Sequence, residues 1–331
     1  MEKTKKRHSK KRKYIGIILL VVLLVASALI FLKIWEERQS FYPETGYDEE
    51  NVIEYNGDKY SLKGNVETFL VLGLDKFETE SKSESYNNDK LADFIMLFVF
   101  DKDAENYTAI HINRDTMTDV NILGVAGNKV DSVQKQISTA HTYGNGKDVS
   151  CRNVADSVSK LLLGVNVNHY VSFTMDAVPI MNDLVGGVEV TVLDDFTGID
   201  DALVKDQTVR LQGEQALKYV RSRYGMEDNT NLARMKRQQQ YIISLQKSFN
   251  EKVNDDEEFL AEAGVKLSDY VVSDRSITQM QDISERFNSY EFGGVVEFEG
   301  ESQKGEQFME FYPNAESVEE TVIDLFYEKV N

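Results

Sequence analysis

Apolar residues along this chain fall into short continuous blocks, separated by stretches in which they recur every three or four positions. The block 69–75 (FLVLGLD) is apolar almost throughout and ends in an acid, as strands buried on both faces do. Similar strand-like blocks occupy 92–100, 107–113, 169–174 and 188–192, and helix-like stretches occupy 151–164, 176–187, 211–223 and 231–253. This alternation predicts an α/β fold in which helices flank a layered central mixed β-sheet.

The segments on either side of this block have patterns of their own. VIEYNGDKYSL (52–62) places Asn56-Gly57 between two β-prone runs, the usual signature of a tight hairpin. Near the C-terminus, EFGGVVEFEG and EQFMEFYP alternate like the two strands of another hairpin, and AESVEETVIDLFYEKV has the pattern of a closing helix. We expect a tether and hairpin at 36–65, a main domain at 66–255 and a C-terminal extension packed on that domain at 256–331.

The N-terminal part carries a membrane signal. Residues 15–32 form an uncharged apolar run, which as a helix would be about 27 Å long and would match the thickness of a bilayer core. The preceding tail, 1–13, has eight Lys and Arg residues and one Glu, and such a basic flank stays on the cytoplasmic side. We therefore predict a basic cytoplasmic tail at 1–13, one transmembrane helix (a signal anchor) at 14–35 and a main domain outside the cell. A cleaved signal peptide is the alternative.

Net charge and motif content exclude several classes of protein. The whole chain has a net charge of −19 although its tail is strongly positive, so the main domain has little long-range attraction for nucleic acids. An anionic ligand must therefore be held by local arginines or by a metal ion. The single cysteine, Cys151, excludes a disulfide scaffold, and no P-loop, GxGxxG, HExxH, CxxC or GxSxG motif is present. If the protein is an enzyme, the attacking group belongs to a substrate.

Acidic side chains lie at the ends of two predicted strands. Asp75 ends the block 69–75, and Asp93 lies near the start of the next strand. An aspartate at a strand end is usually a turn or cap residue. Two such acids at the rims of neighbouring strands can also hold a hard cation through their oxygens, so both are candidate metal ligands.

Arginines are the other candidate functional residues. Arg114 and Asp115 directly follow the strand 107–113, either as a structural ion pair or to aim a guanidinium at an anion beside the sheet edge.

Arg221 and Arg223 end one predicted helix, and Arg234 and Gln238 share a face of the next because they are four residues apart. Arg237 is rotated off that face, where we expect a solvated or ion-paired side chain. Clustered arginines suit bidentate binding of phosphate oxygens, although surface charges on the two helices are the simpler interpretation.

Taken together, the motifs resemble the LytR-CpsA-Psr family of cell-wall glycopolymer ligases. The resemblance runs from about Phe69 to Gln240 through FLVLGLD, LADFIMLFVF, INRDT, ISTAHTYGN, NHYVSFTMDAVPIMNDLVGGVEV, LQGEQALKYVRSR and ARMKRQQQ. It implies an Mg²⁺-dependent transferase that moves a glycopolymer from an undecaprenyl-pyrophosphate carrier to a peptidoglycan hydroxyl, at the outer face of the cytoplasmic membrane. It also implies that 66–255 is the catalytic domain and that the fold holds a long apolar tunnel for the polyprenyl chain.

The resemblance also implies roles for single residues. The implied metal ligands are Asp75 and Asp93, and the implied catalytic residues are Arg114, Asp115, Arg221 and Arg223. The implied pyrophosphate-binding residues are Arg114, Arg221, Arg223, Arg234 and Gln238, with Lys90 as a substitute point charge.

This chain departs from the family pattern at several of these motifs. The family's Gly-Arg-Ser-Asp is Lys-Leu-Ala-Asp here, so that Leu91 replaces an arginine, and the usual proline and acid are Asn113 and Asn231. These departures motivate an alternative, a non-catalytic protein of the same fold that binds polyprenyl phosphate or a wall polymer. A further hypothesis is that 265–331 binds a partner through the strand edge of EQFMEFYP.

Overall fold

The structure is a computed structural model that describes residues 52–75, 88–223, 225–226, 228–256 and 258–330. The predicted cytoplasmic tail and transmembrane helix (1–35) lie outside the described residues, as does the tether up to residue 51. Within the described ranges, no helix has both the length and the apolar character needed to cross a membrane.

Strands and helices of the described chain are numbered here in chain order. The strands are β1 (Val52–Tyr55), β2 (Asp58–Leu62), β3 (Val66–Leu74), β4 (Ala92–Asp101), β5 (Asn106–His111), β6 (Met117–Leu123), β7 (Lys129–Gln136), β8 (His169–Thr174), β9 (Val188–Thr191), β10 (Thr208–Leu211), β11 (Val271–Ser273), β12 (Glu291–Val296), β13 (Gly300–Lys304), β14 (Met309–Pro313) and β15 (Tyr327–Lys329). The α-helices are α1 (Asp148–Leu161), α2 (Ala177–Leu184), α3 (Glu214–Arg221), α4 (Asn231–Asp255), α5 (Phe259–Leu267), α6 (Ile277–Phe287) and α7 (Ala315–Phe326). Short 3₁₀ helices span Ile137–Thr142 and Ser268–Tyr270.

A six-stranded sheet in the order β11-β8-β3-β4-β5-β12 forms the centre of the domain. β3 is parallel to β8 and antiparallel to β4, β5 is antiparallel to β4, and β12 is parallel to β5. The predicted mixed sheet flanked by helices is therefore confirmed.

The two faces of this sheet have different neighbours. Successive side chains of a strand point to opposite faces, so Leu70, Leu72 and Leu74 of β3 share one face. They are fully buried and belong to one apolar cluster with Val154 and Val158 of α1. The opposite face of β3 and β4 is covered by α4, α5 and α6, and the candidate site begins there.

The Asn-Gly hairpin is confirmed. β1 and β2 pair in antiparallel register with Tyr55 opposite Asp58. Asn56 and Gly57 between them have φ angles of 52° and 83°, the positive values that a type I′ turn requires. Type I′ turns are favoured in hairpins because their backbone twist matches that of the two strands.

The predicted C-terminal hairpin is wrong in its pairing. EFGGVV forms β12 and joins the edge of the central sheet beside β5, while β14 pairs with β13, the segment GESQK. GESQK is exposed at every position and therefore has no hydrophobic alternation that predicts a strand. The closing helix α7 is present and is followed by β15, which pairs with β2.

Two other segments differ from the prediction. Leu211 belongs to β10, so the helix expected at 211–223 is shorter and begins at Glu214. The β6–β7 hairpin was not predicted because its second strand is almost entirely polar. From Val52 onward the chain forms one compact unit, to which residues beyond 255 contribute the edge strands β11 and β12.

Candidate active site

Three candidate residues lie at one end of the central sheet because of its strand directions. Leu74 at the end of β3 is opposite Ala92 at the start of β4, and His111 at the end of β5 is opposite Met96 of β4. The backbone N–H of Ile112 continues this pairing by donating to Ile95 O at 2.9 Å. Asp75, Asp93 and Arg114 therefore lie close to one another at the same end of the strands.

Arg114 is held by two carboxylates at this edge. Its Nη1 forms an ion pair with Asp93, and its Nε lies 3.4 Å from Asp115 Oδ1. Asp115 Oδ1 also accepts a hydrogen bond from Gln136 Nε2 at 2.8 Å, and its side chain is largely buried. These contacts set the plane of the Arg114 guanidinium, and they assign to Asp115 an orienting contact with Arg114.

Arg221 reaches the same edge from the end of α3. Its Nη2 donates to Asp75 Oδ1 at 2.9 Å, across 146 positions of sequence. Both side chains are about half exposed, and an exposed ion pair of this kind contributes only about 0–1 kcal/mol. An anionic ligand can therefore displace Asp75 from Arg221 at little cost.

Arg234 is tied to the Arg114 loop through two asparagines. Its Nη2 donates to Asn231 Oδ1 at 2.6 Å, and Asn231 Nδ2 donates to Asn113 Oδ1 at 2.9 Å. Asn113 Oδ1 also accepts from the backbone N–H of Asp115 at 3.0 Å. The two asparagines that depart from the family pattern are thus hydrogen-bonded to each other, and they join the first turn of α4 to the end of β5.

The environment of Arg234 is strongly electropositive. Only 9% of the residue is exposed, and its Nε has no hydrogen-bond partner among the described residues. Burial, together with the charges of Arg114 and Arg223, lowers the pKa of Arg234 to about 10. Three guanidinium groups therefore repel one another at this point, and an anion is the ligand that would relieve both the repulsion and the unsatisfied Nε.

Arg237 and Gln238 hold the end of α3 against α4. Arg237 is 0% exposed, so of the two expected alternatives the solvated side chain is wrong and the ion-paired one is confirmed. It forms an ion pair with Asp194 and donates to the carbonyl oxygens of Tyr219 (2.9 Å) and Ser222. Gln238 Nε2 donates to the carbonyl of Val220 at 3.2 Å. Side chains of α4 therefore donate hydrogen bonds to the backbone around Arg221 and Arg223. The sequence did not reveal that Arg237 and Gln238 have this role.

An apolar cavity of about 710 Å³ lies between the central sheet and the helices α4, α5 and α6. Val220 and Gln238 are part of its wall, so one end of the cavity adjoins the cluster. The sheet side is lined by Phe69, Val71, Gly73, Phe94, Phe98 and Phe100, and the helical side includes Tyr241, Ile242, Leu245, Leu260, Leu267, Ile277, Met280 and Ile283. From Phe94 to Phe100, the wall follows β4 for roughly 20 Å.

Gly73 determines the width of the cavity next to the arginines. A Cβ atom at this position would lie 2.9 Å from the Cβ of Phe94 and 3.7 Å from the Cε of Met175. Since real Cβ atoms do not approach so closely, any side chain at residue 73 would force Phe94 to move. The glycine therefore keeps this end of the cavity open.

The candidate metal ligands offer a limited donor set. Asp75 and Asp93 each use Oδ1 to bind an arginine, which leaves the second oxygen of each carboxylate for a cation. Among the residues that the structure describes, no group of three or more Asp, Glu, His or Cys side chains forms a metal site. Mg²⁺ is commonly bound by one or two carboxylates, with water and ligand phosphates as its other ligands. Asp75 and Asp93 fit an Mg²⁺ ion that is coordinated in this way. Lys90 Nζ pairs with its neighbour Asp89 at 3.0 Å.

Cys151 and His141 lie close together in the core but do not form a nucleophilic pair. Cys151 Sγ is 3.9 Å from His141 Nε2, and both residues are fully buried. Burial raises the pKa of Cys151 to about 12 and lowers the pKa of His141 to about 4. Both groups are therefore neutral at pH 7, and the thiol packs in the apolar core.

Comparisons with known proteins identify the family of this chain. The model of the LytR_cpsA_psr family matches residues 37–321. Biofilm regulatory protein A of Streptococcus mutans is 27% identical over 187 residues, which cover 54% of this chain and less than half (43%) of that protein. A protein of Enterococcus faecalis named polyisoprenyl-teichoic acid–peptidoglycan teichoic acid transferase TagU is 27% identical over 297 residues, or 87% of each chain.

A solved structure shows the same fold. TagT bound to LIIa-WTA superposes with a TM-score of 0.60 at 19% identity, covering 79% of this chain and 90% of that one. A further solved structure with this fold is the crystal structure of Bacillus subtilis TagT. At this identity, the likeness concerns the arrangement of strands and helices alone.

Proposed function

We propose, from the premise that this chain belongs to the LytR-CpsA-Psr family, that it transfers a glycopolymer from a polyprenyl-pyrophosphate carrier to a peptidoglycan hydroxyl. One observation carries the proposal. An electropositive cluster around the buried Arg234 adjoins an apolar cavity of about 710 Å³. A ligand that fits both parts has an anionic head and a long apolar tail, as a polyprenyl pyrophosphate does.

The head of the donor would bind to the arginines. Arg114 and Arg234 are already oriented by neighbouring side chains, and Arg221 would exchange Asp75 for a phosphate oxygen. Arg223 belongs to the same cluster, since its charge lowers the pKa of Arg234. Guanidinium groups bind phosphate oxygens in pairs, so these four side chains can hold both phosphates of the carrier.

The acceptor hydroxyl would cleave either the sugar–phosphate bond, releasing polyprenyl pyrophosphate, or the phosphoanhydride bond, releasing polyprenyl phosphate, and would lose its proton to solvent. In both cases the leaving group gains negative charge. Arginines that are fixed before the reaction stabilise this charge more strongly in the transition state than in the ground state, because they need not reorganise. Mg²⁺ bound by Asp75 and Asp93 would supply further neutralisation of the same charge. The nucleophile would be a hydroxyl of the acceptor sugar, and Asp115 would orient Arg114 through the contact already described.

The topology of the chain would bring the enzyme to its donor. With 14–35 as a transmembrane helix and 1–13 in the cytoplasm, the domain would lie at the outer face of the cell membrane, where both the lipid carrier and peptidoglycan are found. An enzyme tethered to the bilayer that contains its donor meets that donor at a raised effective concentration. The name of the Enterococcus faecalis relative supports the same donor and acceptor classes.

The non-catalytic alternative rests on the two asparagines. Because Asn231 is an amide that bridges Arg234 and Asn113, no carboxylate neutralises Arg234 from its own helix. Such a site would bind a pyrophosphate strongly and release product slowly. A protein of this kind would co-purify with a lipid phosphate and show no turnover.

A transfer assay with the full-length protein tests the proposal. The protein in detergent micelles is given a labelled glycan on polyprenyl pyrophosphate, peptidoglycan and Mg²⁺. We expect label in the peptidoglycan, and a loss of at least 100-fold in rate when Arg221 and Arg223 are both changed to Ala, since these remove charge contacts to the leaving group. Arg152→Ala is the matched control because Arg152 pairs with Asp148 on α1, on the other side of the sheet.

Two results would contradict the proposal. Transfer that is unchanged in the double arginine variant would remove the cluster from the reaction. Bound lipid phosphate without any transfer would favour the non-catalytic alternative.

A further inference from the structure

The hairpin β13–β14 carries an unusual concentration of exposed aromatic surface. Phe308 is 65% exposed and Tyr312 is 42% exposed, and they are the two exposed aromatic side chains in the described part of the chain. Met309, between them in sequence, is exposed as well. Single exposed apolar residues need no explanation, but two exposed aromatic rings within five positions of one hairpin do, and we call Phe308 and Tyr312 the aromatic patch.

The register of the hairpin shows what surrounds this patch. Tyr312 is opposite Glu301, and Glu310 is opposite Gln303, so these four side chains share one face of the two-stranded ribbon. The Tyr312 hydroxyl donates to Glu310 Oε2 at 2.8 Å. Phe311 points to the other face and is buried in the main apolar cluster. The Tyr312 ring is therefore carried by a paired strand, is partly exposed to solvent and has a carboxylate at its hydroxyl.

The backbone of this hairpin is hydrogen-bonded to a residue of the candidate active site. The backbone N–H of Phe311 donates to Asp115 O at 2.9 Å. Gln136 Nε2 donates both to Asp115 Oδ1 (2.8 Å) and to Met309 O (2.7 Å), so one side chain bridges the hairpin to the residue that orients Arg114. The exposed aromatic side chains therefore belong to a hairpin that contacts Asp115, the neighbour of Arg114.

The chemistry of the surface indicates a glycan. Pyranose rings present apolar C–H faces that stack on aromatic rings, while their hydroxyls bond to carboxylate and amide oxygens. The hairpin carries three acids, Glu301, Glu306 and Glu310, against one base, Lys304. This charge opposes binding to an anionic membrane surface or to a polyanionic polymer.

We propose that the β13–β14 hairpin is the docking surface for the acceptor, a neutral or amine-bearing β-linked glycan strand of peptidoglycan, with Phe308 and Tyr312 stacking on its sugar rings. The proposal rests on the transferase function proposed above, since it supplies the position of the second substrate. In this arrangement the donor head binds at the arginines, and the acceptor glycan approaches from the hairpin side, so the two substrates do not compete for one surface.

A binding experiment without donor tests the surface by itself. Full-length protein in micelles is titrated with chitotetraose, a soluble β-linked N-acetylglucosamine oligomer, and binding is measured by calorimetry. We expect saturable binding that Phe308→Ala and Tyr312→Ala each weaken at least fivefold and that Val125→Ala leaves unchanged. Val125 is an exposed residue in the turn of the neighbouring β6–β7 hairpin, and truncating it leaves the aromatic patch intact.

The transfer assay then separates docking from chemistry. If both proposals hold, the two aromatic variants raise the KM for peptidoglycan at least fivefold and leave the KM for the lipid donor and kcat unchanged. Chitotetraose binding that depends on the aromatic residues, in a protein without transfer activity, would support the docking surface and reject the transferase function.

Other outcomes overturn the docking surface. These are the absence of chitotetraose binding by the wild-type protein, equal binding by the aromatic variants, or binding of the hairpin to phosphatidylglycerol vesicles that is lost in those variants. Because both side chains are exposed, the variants are expected to fold, and their unfolding temperatures check this.

Discussion

Replacing Arg237 with Met is expected to damage both the stability of the domain and its proposed chemistry. The substitution leaves the Asp194 carboxylate and the carbonyl oxygens of Tyr219 and Ser222 without their donor. Breaking a buried ion pair from one side costs about 3–5 kcal/mol. Because Asp194 retains some contact with solvent, we expect a value near the lower end, about 3 kcal/mol.

Urea unfolding followed by circular dichroism measures this cost. Arg152→Met is the matched control, because Arg152 belongs to a partly exposed pair with Asp148 and its loss should cost less than about 1 kcal/mol. A cost for Arg237→Met no greater than that of the control would refute the assignment of Arg237 as a buried structural charge.

A double variant separates stability from positioning. In Arg237→Met with Asp194→Leu, no unpaired charge remains, and most of the lost stability should return. The carbonyl of Ser222, between Arg221 and Arg223, still lacks its donor, so both arginines lose their fixed position. Since a displacement of about 1 Å can cost roughly 100-fold in rate, transfer should stay low in the double variant. Recovery of transfer together with stability would refute the positioning role.

Three further predictions concern the cavity, the cluster and the pH dependence. Gly73→Val is expected to lower the affinity for a polyprenyl pyrophosphate at least tenfold but leave inorganic pyrophosphate binding unchanged in calorimetry, because its side chain would displace Phe94 into the cavity; equal losses for both ligands would contradict this. Arg234→Met should raise the unfolding temperature, since it removes a buried and repelled charge, while it weakens pyrophosphate binding at least tenfold; a drop in both would show that Arg234 is mainly structural. Burial raises the pKa of Asp156 to about 6, so the folded state retains this proton between about pH 4 and 6 and its contribution to stability falls as pH rises through that window. Asp156→Asn should therefore stabilise the domain by about 3 kcal/mol at pH 7 and by nearly nothing at pH 4 in urea titrations.

Local patterns were sufficient for much of the fold. The continuous apolar run of β3 and the Asn-Gly turn between β1 and β2 are properties of adjacent residues, and both formed as expected. The pairing of β13 with β14 was missed because the polar strand GESQK has no hydrophobic periodicity of its own. EFGGVV was assigned to the wrong partner because alternation shows that a segment is a strand but does not show which strand lies beside it.

For this protein, the sequence by itself determined the kinds of residues available: an ordered set of strand and helix motifs, acids at strand ends, and arginines on two helices. Only the tertiary structure decided which of these side chains meet, because that depends on contacts between distant segments. Asn113 and Asn231, 118 positions apart, share a hydrogen bond, and Arg237 is buried because α3 packs across it. Helical periodicity states which residues share a face, but the neighbour that covers each face is set by the packing of the whole domain.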